Sequence, residues 1–498
     1  MLITALATLL YFTAQWGVTY FQIESLNEIV FHLKVSLKGA NQDVLQNWID
    51  SCLPISLTLI VAISALLIGL RPLFRLLRLR FMSWFAPTLA VIVSLVLLTL
   101  SISYASDTYD LPEYWHNQTN RSHIFEEHYV DPAKATLTFP AQPRNLIHIY
   151  VESLETTFST SGLVEGTDVP GGGFQTTNYI PQLSKMAADN INFSNGDGLG
   201  GAYQAAGTGW TIAALVAQES GIPLTIPLEG NSYTGDVAFL PGAYSLGQVL
   251  QTQHYHQVMM VGSELAFGGR DLFFKQHGDY EVFDLLTARA DGHVPPDYQV
   301  WWGFEDSKLI SFAQEKLTAL AADDQPFNFT MLTVNTHHAE GYPEADNHFI
   351  TDPETSADSQ FKNVIRMSDE QLAAFLSWIK EQDFYANTTV VLTGDHLSMN
   401  QSYLGEVAKD PFYERTTFNL FLNAAVVPVQ PKNRQFTTMD IYPTVLAAMG
   451  VGIDGQRLGL GTNLFSDRQT LTEEMGLSTL NQQLALRSAF YDKRIIGG

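Results

Sequence analysis

Hydrophobic residues are concentrated in three long stretches within the first hundred or so residues. Residues 1–23, 51–70 and 81–106 contain no Asp, Glu, Lys or Arg, and each stretch is long enough to cross about 30 Å of hydrocarbon as a helix. The first stretch contains Gln15 and Trp16, so a position along the membrane interface is an alternative for it. A signal peptide is disfavoured, because a positive start and a small-residue cleavage pattern are missing. The pattern predicts a membrane region of about three helices.

Four arginines fix the expected orientation of these helices. Arg71, Arg75, Arg78 and Arg80 lie between the second and third stretches, and positive charge in short loops favours the cytoplasmic side. The third helix then leads outward, which places everything after about Ser106 on the far side of the membrane. We expect a multi-pass membrane protein; in a bacterium the far side is the periplasm or the outer surface, which would make this an inner-membrane protein with a periplasmic domain.

After the membrane region, short β-branched runs alternate with helical patterns. Candidate strands lie within residues 145–152, 257–262, 327–337, 388–396 and 416–424. A helix is expected near residues 180–190, and Ser368 with Gln371 forms a capping-box pattern that predicts a helix start. This alternation predicts an α/β fold with a central, mostly parallel sheet covered on both faces.

The chain is expected to have three parts. Polar residues and prolines in the segment after the third apolar stretch predict an extended linker with one short helix. The predicted parts are a transmembrane region at 1–106, a linker at 107–143 and a large α/β domain at 144–498.

Charge and cysteine content narrow the function classes. The net charge is −24, and residues 1–103 carry six Lys/Arg and four Asp/Glu, so the acidity belongs to the rest of the chain. Such an acidic domain disfavours nucleic-acid binding, although clustered carboxylates could hold a cation. The lone cysteine, Cys52, excludes an intramolecular disulfide and a thiolate zinc cluster.

Groups suited to bind a metal follow three predicted strands. Glu152, His337, and the pair Asp395 and His396 stand at strand ends, and the carboxyl ends of parallel strands meet at one edge of a sheet. Carboxylates favour Mg²⁺ or Mn²⁺, and imidazole widens the choice to Zn²⁺. Individually, Glu152 could be a surface or capping group and Gly-Asp-His a turn, so the prediction depends on their convergence.

A glycine-rich segment supplies a candidate nucleophile. Residues 195–209 lead into a helix that is expected to start near Trp210, and unpaired N–H groups at a helix start favour a phosphate. Thr208 lies at this point and could be a simple N-cap. A bound metal would lower the pKa of its hydroxyl and let it attack phosphorus.

Together, these segments resemble the alkaline phosphatase/sulfatase superfamily and, within it, the phosphoglycerol transferases and lipoteichoic acid synthases. The resemblance rests on NLIHIYVESLE, GTGWTIAALVAQESGIPL, TVNTHHAEG, VVLTGDH and MDIYPTVLAAMG, in that order. It implies an α/β/α sandwich and one divalent ion, Mn²⁺ or Mg²⁺ with Zn²⁺ as an alternative. The metal ligands it implies are Glu152, Thr208, Asp395 and His396.

The resemblance also assigns roles in substrate binding. Thr208 would form the covalent intermediate, while His337 and Arg270 would contact the phosphoglycerol group. Where that family has a Phe-Trp-Asn run before the arginine, this chain has Gly268 and Gly269 in place of Trp and Asn. A structural ion pair is the alternative for Arg270, His338 is expected to be a neighbour, and Asp440 is expected to be a helix N-cap.

The implied reaction transfers phosphoglycerol from phosphatidylglycerol to periplasmic glucan and releases diacylglycerol, with the lipid bilayer as a further partner. A phosphoethanolamine transferase acting on lipid A or a glycan is a rival, although such enzymes usually carry disulfides. A sulfatase would need Cys or Ser at the position of Thr208. A catalytically inactive glucan-binding membrane protein is the alternative from another class.

Overall fold

A computed structural model describes residues 2–21, 26–35, 43–76, 85–226, 238–337, 340–345, 357–405 and 407–497. They form two compact units, one drawn from residues 1–29 and 40–116 and the other from residues 30–39 and 117–498. Of the positions named above, Arg78, Arg80 and His338 lie outside the described residues, as do the side chains of Arg71 and Arg75.

The first unit is built from long apolar helices. Its helices are α1 (Leu2–Trp16), the start of α2 (Leu26–Lys34), α3 (Asp43–Leu76), α4 (Phe85–Thr108) and the start of α5 (Leu111–Thr119). Within the described residues, three segments are long and apolar enough to cross a membrane, namely Leu2–Thr19, Leu45–Ala65 and Thr88–Thr108. The three apolar helices expected from the sequence are therefore present.

Polar contacts join the apolar helices where their side chains are shielded. Thr4 and Ser94 share a hydrogen bond of 2.8 Å between their hydroxyls, and the Trp16 indole donates to Asn47 Oδ1 at 2.8 Å. Such pairs provide hydrogen-bond partners for polar side chains, which surrounding hydrocarbon cannot provide. Cys52 is buried and free, as expected for a single cysteine.

The second unit alternates helices and strands. Its helices from α6 onward are α6 (Ile124–His128), α7 (Pro181–Asp189), α8 (Thr211–Ser220), α9 (Leu246–Gln251), α10 (Arg270–Gln276), α11 (Leu285–Ala290), α12 (Asp306–Ala321), α13 (Ala357–Lys380), α14 (Gln401–Leu404), α15 (Ile441–Ala448), α16 (Leu471–Met475) and α17 (Leu477–Ala485). Its strands are β1 (Leu137–Thr138), β2 (Asn145–Val151), β3 (Gly201–Ala202), β4 (His256–Val261), β5 (Glu281–Phe283), β6 (Phe327–Leu332), β7 (Thr388–Gly394), β8 (Thr417–Leu422), β9 (Gly452–Ile453), β10 (Arg457–Leu458) and β11 (Gly461–Thr462).

Among the described residues, seven strands form a central sheet in the order β3-β8-β7-β2-β6-β4-β5. The five strands from β7 to β5 are parallel. β8 runs antiparallel to β7, and β3 pairs antiparallel with β8, so β8 alone of these seven strands is reversed. Five of these strands coincide with the five runs expected from the sequence. The neighbours β7, β2 and β6 end side by side, which is the arrangement that the predicted convergence required.

Hydrophobic residues of both sheet faces are covered. One core cluster joins β-strand residues such as Ile149 and Phe329 to apolar residues of α7, α12 and α13. On the opposite face, Tyr150 and Met259 pack with α8, and Leu146 and Val391 pack with α15. Helices on both faces of a mostly parallel sheet make an α/β/α sandwich, as predicted.

Two expectations about local structure are wrong. Ser368 does not begin a helix, because α13 already starts at Ala357; the neighbouring Asp369 instead accepts hydrogen bonds from the Gln182 and Leu183 N–H groups and caps α7. The expected linker at 107–143 is more ordered than predicted. It contains α5, α6 and β1, and β1 pairs with β9.

Candidate active site

Glu152, Asp395 and His396 come together at the carboxyl edge of the sheet. Val151 and Gly394 are paired in the register of β2 and β7, so the residues that follow them emerge side by side. One ligand atom from each of the three side chains lies within 4.8 Å of the others. His396 Nε2 is 3.4 Å from both Glu152 Oε1 and Asp395 Oδ2. We call these three residues the acidic triad.

The backbone around the triad is shaped to hold its carboxylates. Ser153 has a φ of 57°, a left-handed conformation that non-glycine residues adopt at a cost of about 1–3 kcal/mol. In this conformation its N–H donates to Asp395 Oδ1 and its hydroxyl donates to Glu152 Oε1, both at 2.8 Å. Gly394 is required beside this turn, because a Cβ there would lie 1.8 Å from the Leu154 carbonyl oxygen.

The imidazole of His396 is oriented by its own backbone. Its Nδ1 lies 2.9 Å from the Leu397 carbonyl oxygen, which can only accept a hydrogen bond, so Nδ1 carries a proton. Nε2 therefore faces the two carboxylates. A backbone carbonyl that fixes one ring nitrogen while the other faces a ligand is a common arrangement at metal sites.

Burial and the mutual interaction of their charges shift the pKa values of all three triad residues. Burial, followed by the nearby Glu152 charge, raises the pKa of Asp395 to about 7. Burial alone would lower the pKa of His396, but the two carboxylates outweigh it and raise this pKa to about 10. The pKa of Glu152 is lowered, because attraction to His396 outweighs burial.

A cation fits this donor set. Asp395 Oδ2 is buried and has no hydrogen-bond partner among the described residues, so one carboxylate oxygen is available for coordination. Two carboxylates and one imidazole match the ligand preferences of Mn²⁺, Mg²⁺ and Zn²⁺. The acidic triad could therefore hold a divalent ion.

Thr208 is not the N-cap of α8. The N-cap is Trp210, and its side chain forms no capping hydrogen bond. The hydroxyl of Thr208, which is fully buried, donates to the Ala205 carbonyl oxygen at 2.9 Å. The N-cap alternative for Thr208 is wrong.

Thr211 is a residue of this site that the sequence analysis missed. Its hydroxyl lies 3.4 Å from Glu152 Oε2 and 3.5 Å from His396 Nε2. Thr211 is the first residue of α8. The sequence analysis expected this helix start to bind a phosphate, and that expectation was the signal that could have identified Thr211. Through Thr211, the start of α8 contacts the acidic triad.

The other end of α8 holds the two strands that carry the triad. Gln218 Nε2 donates to the carbonyl oxygens of Gly394 at 3.0 Å and Asp395 at 3.1 Å. Glu219 accepts a hydrogen bond of 2.8 Å from the Tyr150 hydroxyl on β2. Both side chains are buried, and burial raises the pKa of Glu219 to about 7.

His337 lies in a turn that is fastened to Glu152. Thr333 Oγ1 accepts from the Glu152 N–H at 3.0 Å, and Thr336 donates to the Glu152 carbonyl oxygen at 2.6 Å. The buried Asp306 accepts from two backbone N–H groups of the same turn, at 2.8 and 3.0 Å. His337 directly follows Thr336 along the chain, so these hydrogen bonds hold the predicted substrate residue close to Glu152.

Arg270 is held by neutral groups. Its guanidinium donates to the carbonyl oxygens of Phe267 and Glu264 and to the hydroxyl of Ser263, at 2.9–3.1 Å. No carboxylate forms an ion pair with it in the described part of the chain, so an ion pair does not account for this residue. Burial lowers its pKa, to about 10, and Arg270 remains positively charged at neutral pH.

An aromatic row connects Arg270 to His337. The Arg270 guanidinium lies 5.9 Å from the centre of the Phe267 ring. The Trp302 ring is 5.4 Å from Phe267 and 4.7 Å from His337, measured between ring centres. Trp302 was missed by the sequence analysis, because nothing in the local sequence places residue 302 beside residue 337.

The sulfatase family model matches residues 144–451, which include the whole acidic triad, Thr208, Arg270 and His337. The chain belongs to the sulfatase family. The resemblance to the alkaline phosphatase/sulfatase superfamily is thereby confirmed, together with the predicted fold class.

Relatives of this sulfatase-family chain include phosphoglycerol transferase I from Salmonella choleraesuis (strain SC-B67) and from Salmonella typhi. Each is 31% identical over 353 residues, which cover 70% of this chain and 42% of the relative. The chain thus spans less than half the length of these curated relatives.

Two solved structures share the fold. Lipoteichoic acid synthase LtaP from Listeria monocytogenes gives a TM-score of 0.51 at 17% identity, covering 67% of this chain and 79% of LtaP. The integral membrane protein lipooligosaccharide phosphoethanolamine transferase A from Neisseria meningitidis also gives 0.51, at 13% identity, covering 97% of this chain and 87% of that protein. At these identities the likeness establishes fold rather than activity.

Proposed function

We propose that this sulfatase-family chain transfers phosphoglycerol from phosphatidylglycerol to a periplasmic glucan. The observation that carries the proposal is the buried acidic triad, which lies against the start of α8 in a chain similar to phosphoglycerol transferase I. The proposed ligands of one divalent ion, Mn²⁺ or Mg²⁺ with Zn²⁺ as an alternative, are Glu152, Thr208, Asp395 and His396. Such an ion would lower the pKa of the nucleophile and neutralise phosphoryl oxygens.

The reaction would proceed in two displacements. The oxygen of Thr208 attacks the phosphorus of the lipid headgroup, and the bond from phosphorus to the diacylglycerol oxygen breaks. Diacylglycerol leaves with a proton, and phosphoglycerol remains on Thr208. A glucan hydroxyl then attacks the same phosphorus, and Thr208 regains its proton as it leaves.

Arg270 and His337 have the chemistry to assist both displacements. A fixed guanidinium can share the negative charge of the phosphoryl oxygens, and its buried, low-dielectric surroundings strengthen that interaction. The imidazole of His337 lies beside Trp302, and together they offer a donor and an apolar surface for the glycerol group. We assign both residues to substrate binding.

The setting of the reaction follows from the donor lipid. Three apolar helices precede the catalytic domain, and a lipid donor with a lipid leaving group requires a site near the bilayer. We place the helices in a bacterial inner membrane and the catalytic domain in the periplasm. The arginines at 71–80 support this orientation.

One experiment distinguishes this function from its rivals. Membranes that hold the protein would receive phosphatidylglycerol labelled in the headgroup or in an acyl chain, with a β-glucan acceptor, and phosphatidylethanolamine in a parallel reaction. We expect the headgroup label to move to glucan and the acyl label to diacylglycerol, with no transfer by Thr208→Ala. Transfer only from phosphatidylethanolamine would favour the phosphoethanolamine transferase, and no transfer with retained glucan binding would favour an inactive binding protein.

A further inference from the structure

A short segment between the first two apolar helices belongs to the same compact unit as the candidate site. Residues 30–35 group with residues 117–498 rather than with the apolar helices. In this segment Phe31 is 1% exposed and Val35 is 5% exposed, whereas Leu33 is 80% exposed. One face of the segment is therefore buried in the hydrophobic core of the second unit.

Phe31 packs at the start of the helix that follows Thr208. Its ring centre lies 5.9 Å from that of Trp210, the N-cap of α8, and 6.4 Å from that of Phe239. Trp210 itself is 7% exposed. Because Trp210 is two residues after Thr208 and directly precedes Thr211, a shift of its ring would displace the segment that holds the proposed nucleophile.

Val35 packs against the turn that presents Arg270. Gly268 and Gly269 have φ values of 67° and 72°, a conformation that favours glycine. A Cβ built on Gly269 would lie 3.3 Å from Val35 Cγ1 and 3.6 Å from Phe239 Cε2. The space beside this turn is thus filled by Val35 and Phe239.

The segment also contacts the aromatic row. The ring of His32 is stacked on Phe267, with 6.0 Å between ring centres. Burial lowers the pKa of His32 to about 4, so this ring is neutral at pH 7 and adds no charge beside Arg270. The contact with Phe267 is one of packing.

From these contacts we propose that Phe31 and Val35 are positioning residues of the active site, which fix Trp210 and the Gly269–Arg270 turn for recognition of a phosphoglycerol ester. The inference rests on the proposed function and deepens it. Displacement of a substrate-binding group by about 1 Å can reduce turnover about a hundredfold, so this segment would do more than tether the domain.

The test compares buried and exposed positions of the same segment in the full-length protein in detergent. Phe31→Ala and Val35→Ala are the test variants, Phe31→Leu is the conservative rescue, and Leu33→Ala is the matched control. The substrate is the water-soluble p-nitrophenyl ester of glycerol phosphate, which needs no delivery from a bilayer. A parallel assay with bis(p-nitrophenyl) phosphate reports on a substrate that lacks the glycerol group.

We expect kcat/KM for the glycerol ester to fall about tenfold or more in Phe31→Ala and Val35→Ala, with Phe31→Leu recovering most of it and Leu33→Ala unchanged. Bound metal, measured by elemental analysis, should equal that of the wild type. The preference for the glycerol ester over bis(p-nitrophenyl) phosphate should decrease, a change that general destabilisation would not cause.

Two results would overturn the inference. The first is wild-type kcat/KM and wild-type substrate preference in folded Phe31→Ala and Val35→Ala, with losses only for phosphatidylglycerol in vesicles, which would show a tether. The second is an equal loss for both soluble substrates together with loss of metal, which would show a purely structural role.

Calorimetric binding of glycerol phosphate provides the same comparison without turnover. If the wild type binds glycerol phosphate but cleaves no ester, the proposed function fails. The inference is then judged by whether Val35→Ala binds at least several-fold more weakly than Leu33→Ala. Equal affinities, or no binding by the wild type, would contradict it.

Discussion

Glu152, Asp395 and His396 are between 0% and 3% exposed, so their charges must be compensated inside the protein. His396 compensates part of the negative charge of the two carboxylates. Within the described part of the chain, Asp395 Oδ2 has no hydrogen-bond partner. Buried charges that lack a partner are costly. At the residue scale, the donor set is therefore suited to a cation.

Removing a ligand should release the ion without unfolding the domain. We expect Glu152→Ala and Asp395→Ala to lower bound metal, measured by elemental analysis, and to reduce transfer activity at least a hundredfold. Glu127→Ala, whose side chain is 68% exposed, is the control and should retain both. Full metal occupancy in folded Glu152→Ala and Asp395→Ala proteins would eliminate this site.

Alanine substitutions of the two threonines near the start of α8 should reduce turnover to very different extents. Thr208→Ala should reduce turnover by several orders of magnitude, because it removes the proposed nucleophile, while Thr208→Ser should keep partial activity. Thr211→Ala removes only a hydroxyl near Glu152 and His396 and should cost about tenfold. Mass spectrometry after incubation with phosphatidylglycerol and no glucan should show phosphoglycerol on the Thr208 peptide.

If Thr211→Ala were inactive while folded Thr208→Ala kept near-normal turnover, the nucleophile would have to be reassigned. Thr208→Ala should destabilise the fold by only about 1 kcal/mol, the cost of a lost hydrogen bond to Ala205. Loss of activity in this variant would therefore not be attributable to unfolding.

Glu219 should make stability depend on pH. Its pKa rises from the ordinary 4.5 to about 7 because of burial, so the folded state binds this proton more tightly than the unfolded state does. The resulting stabilisation is present below pH 4.5 and is lost, at about 1.4 kcal/mol per pH unit, as the pH rises towards 7. Glu219→Gln cannot ionise, and its side-chain oxygen can still accept from Tyr150.

Denaturant unfolding at several pH values tests this prediction. Glu219→Gln should gain stability relative to the wild type as the pH rises from 5 to 7.5. An unchanged difference between the two proteins over this range would mean that Glu219 does not titrate there.

At the scale of elements, α8 connects the parts of the site. Its first residue, Thr211, contacts the acidic triad, while Gln218 and Glu219 near its end bind β7 and β2. A rigid helix fastened at both ends transmits the position of the strands to the segment that carries Thr208. The element thus positions groups that lie far apart in the sequence.

Gln218→Ala should loosen this connection. The variant leaves the carbonyl oxygens of Gly394 and Asp395 without the Gln218 donor, at a cost of about 1–3 kcal/mol, and metal affinity should fall with kcat. Gln382→Ala is the control, because it removes one side-chain hydrogen bond, 2.9 Å to the Trp378 carbonyl oxygen, at the end of α13. Equal metal affinity and kcat in the two variants would show that Gln218 has no positioning role.

At the scale of the whole molecule, an acidic domain follows three apolar helices. The four arginines at 71–80 predict which side of the membrane that domain occupies. The periplasmic glucan of the proposed reaction can be reached only from the periplasmic side. Orientation is therefore a condition of the proposed reaction.

Reporter fusions test this orientation. A reporter fused after residue 110 should show a periplasmic location, and a reporter fused at residue 76 should show a cytoplasmic location. The opposite pattern would make a periplasmic glucan an impossible acceptor, and equal signals at both positions would mean that the third apolar helix does not span the bilayer.

The sequence by itself determined the apolar helices, the alternation of strands and helices, and the strand ends that carry Glu152, Asp395 and His396. These features follow from local patterns: the length of an apolar run, the period of hydrophobic positions, and the rule that parallel strands end at one edge. The start of α8 near Trp210 followed in the same way from the glycine-rich segment before it.

Which distant residues meet became visible only in the folded chain. It placed Thr211 beside the triad, Trp302 beside His337, Asp369 at the start of α7, and residues 30–35 against Trp210 and Gly269. Ser368 with Gln371 shows the limit of local patterns, since the capping signal was present but α13 continued through it. Such contacts depend on how separate elements pack in space, and packing free energy between elements outweighs the weaker local preferences of each segment.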